Sequence, residues 1–219
     1  MEQNLQMLSI IACIRKGTLI MSKNFKEVIE NRRSFYAISK ESPISEKEIQ
    51  EIVEHSVKYV PSSFNSQSAR AVVLFGAQHD KLWDTTTEVL RKIVPADSFA
   101  STEEKMNAFK SGFGTVLFFE DQAVVEGLQA QFELYKDNFP VWSLESSGML
   151  QFTVWAALED AGLGASLQHY NPLIDEKVKG EWKLPESWKL LGQMPFGKPV
   201  AQPGEKAFLP VSDRVKVFA

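Results

Sequence analysis

The sequence predicts a single domain of the α+β class, on three observations. Helical and strand-like periodicities succeed one another irregularly, without the steady strand–helix alternation of a parallel α/β sheet. The strand-like segments are short runs of β-branched and aromatic residues, and the helical segments differ widely in length. The chain has 219 residues, with neither an internal repeat nor a low-complexity linker, so one core can be buried without a second domain.

The elements follow in order. Met7 to Cys13 is apolar, but Arg15-Lys16 follows it, the wrong charge order for a signal peptide. Met21 stands just before a helix start, so residues 1–20 are expected to be an upstream extension and residues 21–219 the domain. An N-terminal arm packing on a partner subunit is the alternative. Asn24 with Glu27 reads as a capping box opening a helix through Arg32. Ser45 with Glu48 is a second box, and Ile49, Ile52, Val53 and Val57 recur at helical spacing to about Lys58. Ala71 to Phe75 is a buried strand. Residues 78–94 and 102–111 are helices, and Gly114 to Phe119 a second strand. Residues 123–138 read as helical, with Pro140 interrupting before a helix from Ser143 to Ala161. That helix is apolar nearly all round, through Leu144, Met149, Leu150, Phe152, Val154, Trp155 and Leu158, so it must be covered on several sides by core or by another subunit. Gly162 ends it, free to adopt positive φ. A strand from Ala165 to Gln168, a short helix after Pro172, a strand near Leu190 to Met194 and an extended tail from Ala201 complete the chain.

Bulk properties exclude several classes. A net charge of −4 argues against a nucleic-acid binder, which needs a basic face. Cys13 is the single cysteine, so no intramolecular disulfide is available. No apolar run approaches the roughly 20 residues of a membrane helix, and a cytoplasmic protein is expected. Three histidines form no metal-ligand spacing, and no Ser-His-Asp order or cysteine nucleophile is visible.

Three segments carry chemistry. Arg32-Arg33-Ser34 places two guanidiniums and a hydroxyl at a helix-to-loop junction, where they can grip a terminal phosphate or simply offset a helix end. Pro61-Ser62-Ser63-Phe64-Asn65-Ser66-Gln67 has the composition of a turn. Gly162-Leu163-Gly164 follows a helix, and its third position is Leu167, so it is not a dinucleotide fingerprint.

In this order and spacing, over roughly residues 23–219, the three segments resemble the FMN-dependent nitroreductase family. The family's loop pattern Pro-Ser-Ser-x-Asn-x-Gln is matched at every fixed position. The stretch from Trp142 through Ser146-Ser147-Gly148 to Gln168-His169-Tyr170-Asn171-Pro172 resembles the branch of the yeast fatty-acid-repression-mutant protein and the bacterial copper-induced nitroreductases. The resemblance implies a central mixed or antiparallel sheet flanked by helices, a domain-swapped type of homodimer, and FMN as cofactor. Arg32 and Ser34 then hold the phosphate and ribityl chain, and Arg33 approaches the ribityl or pyrimidine side. Pro61, Ser62, Ser63, Asn65 and Gln67 border the ring of the partner subunit's flavin, with amides that both donate and accept. Gly164, Leu167, Gln168 and His169 lie on the segment passing flavin N5; His169 is a candidate proton donor or an ordinary structural histidine.

Lys206 matches the family's basic phosphate contact near the C-terminus, while Phe208 stands where an arginine is common and Tyr36 where many members are basic. Arg214 is the candidate replacement. Phe132, Tyr135 and Phe139 are candidates to shape the substrate pocket, or core. The implied function is two-electron, ping-pong transfer from NADH or NADPH to nitroaromatics or quinone-like acceptors, the flavin carrying the chemistry. The alternative is an FMN-binding regulatory or stress-response protein with little turnover. No metal is implied.

Overall fold

The computed structural model describes residues 23–218 and, as backbone only, Cys13–Arg15 (β1) and Thr18–Ile20 (β2), which pair antiparallel. The expected boundary at Met21 lies outside the described residues.

Both capping boxes form. Asn24 Oδ1 accepts from the Glu27 N–H and Glu27 returns a carboxylate to the Asn24 N–H, each at 3.1 Å, opening α1 (Phe25–Asn31). Ser45 and Glu48 do the same for α2 (Glu46–Tyr59). The remaining helices are α3 (Gly76–Arg91), α4 (Phe99–Lys110), α5 (Gln122–Gln131), α6 (Phe139–Asp160), α7 (Asp175–Trp182) and the single turn α8 (Val211–Arg214). The main sheet runs β3 (Ile38–Ser39), β7 (Trp188–Pro199), β5 (Gly114–Asp121), β4 (Ala69–Phe75), with β6 (Gly164–Ala165) also on β7. Every strand pair in it is antiparallel.

Strand β5 explains the layering. Successive side chains leave opposite faces of a strand. Val116 and Phe118 enter one core with Ile49, Val53, Leu150, Val154 and Leu158 from α2 and α6. Leu117 and Phe119 enter another with Leu82, Trp83, Met106 and Phe109 from α3 and α4. Burial on both faces is why this strand reads as an unbroken apolar run. Beneath it, the Thr115 hydroxyl accepts from Trp83 Nε1 and lies 2.9 Å from His79 Nδ1, while His79 Nε2 faces the Lys110 carbonyl. Burial pulls the His79 pKa below its ordinary value, so it serves as a neutral structural histidine.

The structure differs from the sequence reading at several places; among them, the tail read as extended makes a helical turn at Val211–Arg214, and the short strand Ile38–Ser39 has no counterpart in the sequence reading. Pro140 does not interrupt: α6 begins at Phe139, with the proline in its first turn, where no intrahelical N–H is needed. The helix expected to Asn138 ends at Gln131, and a separate 3₁₀ turn covers Glu133–Tyr135. The strand expected from Ala165 to Gln168 is shorter, continued by an isolated bridge between Gln168 and Gln193. Strand β7 is much longer than Leu190 to Met194, because its prolines and glycines are tolerated for specific reasons. Pro195 accepts through its carbonyl from the Ser166 N–H at 3.2 Å, so its ring nitrogen faces that segment and β5 loses no bond. Gly197 admits no side chain, since a Cβ there would stand 2.2 Å from the Ser39 carbonyl oxygen.

Candidate functional site

Helix α1 ends just before Arg32, whose backbone turns extended, and the chain is drawn across the end of α6. Phe35 N–H donates to the Ala165 carbonyl at 3.0 Å and Ser34 bridges Ala165 in parallel. This fixes Arg32 with its guanidinium 4.4 Å from the Trp155 ring centroid on α6. Burial, then the neighbouring Arg33, lowers the Arg32 pKa, and Glu159 partly opposes this. The half-buried guanidinium remains charged and can pair with an anion.

Arg32, Arg33, Ser34, Tyr36 and Ala37 line one wall of a groove of about 570 Å³; Ala201 to Lys206 form the other. Arg33 Nη2 donates to the Gly204 carbonyl at 2.6 Å, tying the two walls together. Lys206 Nζ rests 5.2 Å from the Phe208 ring centroid. Phe208 thus supplies a π-face for the lysine where an arginine would have supplied charge. Three cations and a hydroxyl against the single carboxylate of Glu205 suit a phosphate. Arg214 is not among the lining residues: the tail carries it away on exposed α8. Arg33 is the second guanidinium lining the groove.

The loop after α2 forms a 3₁₀ turn over Ser63–Asn65. Phe64, Asn65 and Gln67 have φ of 58°, 51° and 49°, a left-handed conformation costing about 1–3 kcal/mol at a non-glycine residue. Ser62 takes up much of the freed polar backbone: its carbonyl accepts from Asn65 N–H at 2.9 Å and its Oγ from Gln67 N–H at 3.0 Å. Phe64 stands out of the turn against Phe132 (5.0 Å between centroids), Phe139 (5.2 Å), Tyr135 (5.9 Å) and Trp142 (6.0 Å, stacked). The three aromatic residues expected at a substrate pocket therefore gather on this loop. Phe139 is buried within the cluster and supports it from below. Pro61, Ser62 and Gln67 also edge a groove of about 780 Å³ between α2 and β4, floored by Val53, Ala71, Val73 and Leu150. No residue lines both grooves.

Gly164 allows the third segment to lie flat between Phe35 and Pro199. Ser166 N–H is used by Pro195 and Gln168 N–H by Gln193, so the strand alternation turns the Leu167 N–H away from β7. His169 is exposed and lines neither groove.

Sequence reasoning missed Arg70 and Glu120. The signal for both was a charged residue at the edge of an apolar strand, which also reads as a solvated strand end. Arg70 bonds the loop and Asp121. Glu120 is fully buried, and among the described residues neither carboxylate oxygen has a hydrogen-bond partner. Desolvation pushes its pKa up to about 7, with the nearby Ser68 hydroxyl and Arg70 opposing and Asp121 assisting. A raised carboxyl pKa leaves stability intact below the ordinary value of about 4.3. Stability is lost as pH rises, because the unfolded chain releases the proton first. Denaturant unfolding should therefore show Glu120→Gln more stable than wild type at pH 8 by about 1–3 kcal/mol, with the gap closing toward pH 4. A gap that does not vary with pH would contradict it.

Comparison with known proteins bears on this arrangement. A model described as the nitroreductase family matches residues 29–198. The chain is 38% identical over 196 residues to the putative nitroreductase HBN1 of Saccharomyces cerevisiae, covering 89% of this chain and 96% of that one. It is 32% identical over 189 residues to nitroreductase FRM2 of the same yeast, covering 85% and 93%. Among solved structures, nitroreductase CinD from Lactococcus lactis in complex with chloramphenicol superposes with a TM-score of 0.82 at 48% identity, covering 89% of this chain and all (100%) of that one. The same protein in complex with 4-nitrophenol gives 0.81 at 49% over the same shares, 89% and 100%. Among the described residues, no helix is long and apolar enough to cross a membrane.

Proposed function

The chain belongs to the nitroreductase family, and from that premise we propose that it is a homodimeric, FMN-dependent oxidoreductase passing electrons from NADH or NADPH to nitroaromatic or quinone-like acceptors. The observation that carries the cofactor is the first groove, where Arg32, Arg33, Ser34 and Lys206 converge as phosphate-binding chemistry requires. The acceptor class rests on the relative held with chloramphenicol and with 4-nitrophenol.

The flavin, when bound, supplies the two-electron chemistry; the chain supplies placement. Arg32, Ser34 and Lys206 hold the phosphate end, and Arg33 the ribityl side. The Leu167 N–H, facing away from β7, is the backbone donor toward the ring. Pro61, Ser62 and Gln67 edge the other groove, with Ser63 and Asn65 on the same loop, so one chain offers a phosphate grip and a ring wall at separate places. A two-fold dimer, in which the wall of one chain closes the grip of its partner, reconciles them. Helix α6 supports this pairing: it buries Leu150 and Val154 while exposing Val141, Leu144, Met149 and Phe152, an apolar patch of the kind interfaces cover. Flavin-free protein that sediments as a folded monomer at micromolar concentration would contradict the dimer.

Asn65 is placed at the ring's polar edge, so Asn65→Leu should disturb reactivity more than retention. A lost hydrogen bond that strengthens on reduction, worth about 1.4 kcal/mol, lowers a two-electron potential by roughly 30 mV. Redox titration with stopped-flow reduction checks this; an unchanged potential with weakened FMN binding would make Asn65 an anchor only.

The function is tested by steady-state NADH or NADPH oxidation with a nitroaromatic or quinone acceptor. Acceptor-dependent turnover is expected. A flavin-loaded protein that scarcely turns over would favour the second reading, a flavin-binding regulatory or stress-response protein, which Tyr36 and Phe208 in place of basic residues favour.

A further inference from the structure

The Ser62–Gln67 loop holds three non-glycine residues in the left-handed region, yet most of its hydrogen bonds among the described residues are internal. A loop strained in this way keeps its shape only if the surroundings fix it. Two anchors do so. At its middle, the half-exposed Phe64 ring rests against Phe132, Phe139 and Trp142. At its end, Arg70 Nη1 donates to the Gln67 carbonyl at 2.6 Å and to the Ala69 carbonyl at 3.0 Å. The other arm of the same guanidinium, Nη2, reaches Asp121 Oδ2 at 3.0 Å. The Trp188 ring centroid lies 5.8 Å from the guanidinium carbon.

Asp121 is itself immobilised. Its N–H donates to the Ser68 carbonyl at 2.9 Å, and its Oδ1 accepts from the Ala123 N–H at 3.2 Å as the N-cap of α5. Glu120, the adjacent carboxylate, makes no bond to Arg70. The planar fork is thus shared between one fixed carboxylate and the loop, a division that a lysine ammonium cannot reproduce.

We propose that Arg70 is a positioning residue: braced by Asp121, it clamps the Gln67 carbonyl and holds the Ser62–Gln67 loop in the shape that presents Asn65 and Gln67. Arg70 also lines the groove that Pro61, Ser62 and Gln67 edge, and the consequence of the clamp for FMN rests on the flavin reading above. Releasing it leaves the loop hinged on Phe64 alone, so Asn65 and Gln67 sample other conformations before a ligand arrives.

The test is amide hydrogen exchange on flavin-free full-length protein, run beside FMN titration. In Arg70→Met, which keeps an apolar stem on Trp188, exchange at Asn65, Ser66 and Gln67 should rise about tenfold or more while α2 and β5 stay protected. Asp121→Asn, which retains the cap oxygen, should raise loop exchange by a smaller factor. Millimolar methylguanidinium should restore protection in Arg70→Ala, and Arg70→Lys should not. Unchanged loop exchange in a folded Arg70→Met protein overturns the clamp, as does loosening that spreads equally through α2 and β5. Should Arg70→Met fail to fold, Asp121→Asn decides by the same readout. FMN affinity is expected to fall in step with loop protection. If wild type binds no FMN yet the exchange pattern holds, the clamp stands and the flavin reading fails.

Discussion

Arg32→Ala is expected to cost roughly ten- to hundredfold in FMN affinity, corresponding to about 1.5–3 kcal/mol for one charge-assisted pair. The size follows from how Arg32 is held. Its guanidinium lies on Trp155 and is partly shielded from water. Little side-chain entropy remains to be lost when an anion binds, so more of the pair's energy appears as affinity. Arg32→Lys should recover only part of it, because an ammonium neither stacks as well nor forks. Lys206→Ala should act in the same direction and more weakly, since Lys206 is exposed and its ammonium is free to be replaced by solvent. Fluorescence titration of the flavin reads all three. Arg32→Ala at wild-type affinity would remove Arg32 from the phosphate site.

Gly164→Ala is expected to lower stability and flavin affinity together. A Cβ at Gly164 would stand 2.8 Å from Phe35 Cγ and 2.9 Å from Pro199 Cγ. Neither can swing clear: Phe35 is buried and Pro199 pairs with Ile38 in the sheet. Overpacking of this kind costs about 1–3 kcal/mol, and each kcal/mol lowers the melting temperature of a chain this long by about 2–4 °C. The displacement is transmitted to function. Phe35 and Ser34 are the residues that tether the Arg32-Arg33-Ser34 segment to Ala165, so pushing Phe35 aside shifts the phosphate groove. Flavin affinity should fall together with melting temperature. Gly180→Ala, in open space on α7, is the control and should be neutral or slightly stabilising. A Gly164→Ala protein as stable as wild type would refute the close approach.

Local signals in the sequence were reliable wherever the deciding interaction was itself local. The two capping boxes, the positive φ at Gly162 and the apolar run of β5 depend on neighbours within a few residues, and each was read correctly. Strand β7 was truncated because Pro195 and Gly197 look like breakers until their opposite neighbours, Ser166 and Ser39, are known. Arg70 and Glu120 escaped for the same reason: what matters about them is a carbonyl, a carboxylate or a missing partner contributed from elsewhere in the chain. The candidate site was legible chiefly through family motifs. Arg32-Arg33-Ser34 and Lys206 line one groove. The motifs carried no hint that Arg214 would lie on a helical turn outside this groove, or that Lys206 would rest on Phe208.

The most direct measurement is an anaerobic titration of the purified protein reconstituted with FMN. NADH or NADPH should bleach the yellow absorbance of the bound flavin, and a nitroaromatic or quinone added afterwards should restore it mole for mole, with FMN recovered on denaturation. A protein that takes up no flavin, or whose bound FMN stays oxidised in excess NADH and NADPH, would contradict the assignment of this chain as a flavin-dependent oxidoreductase.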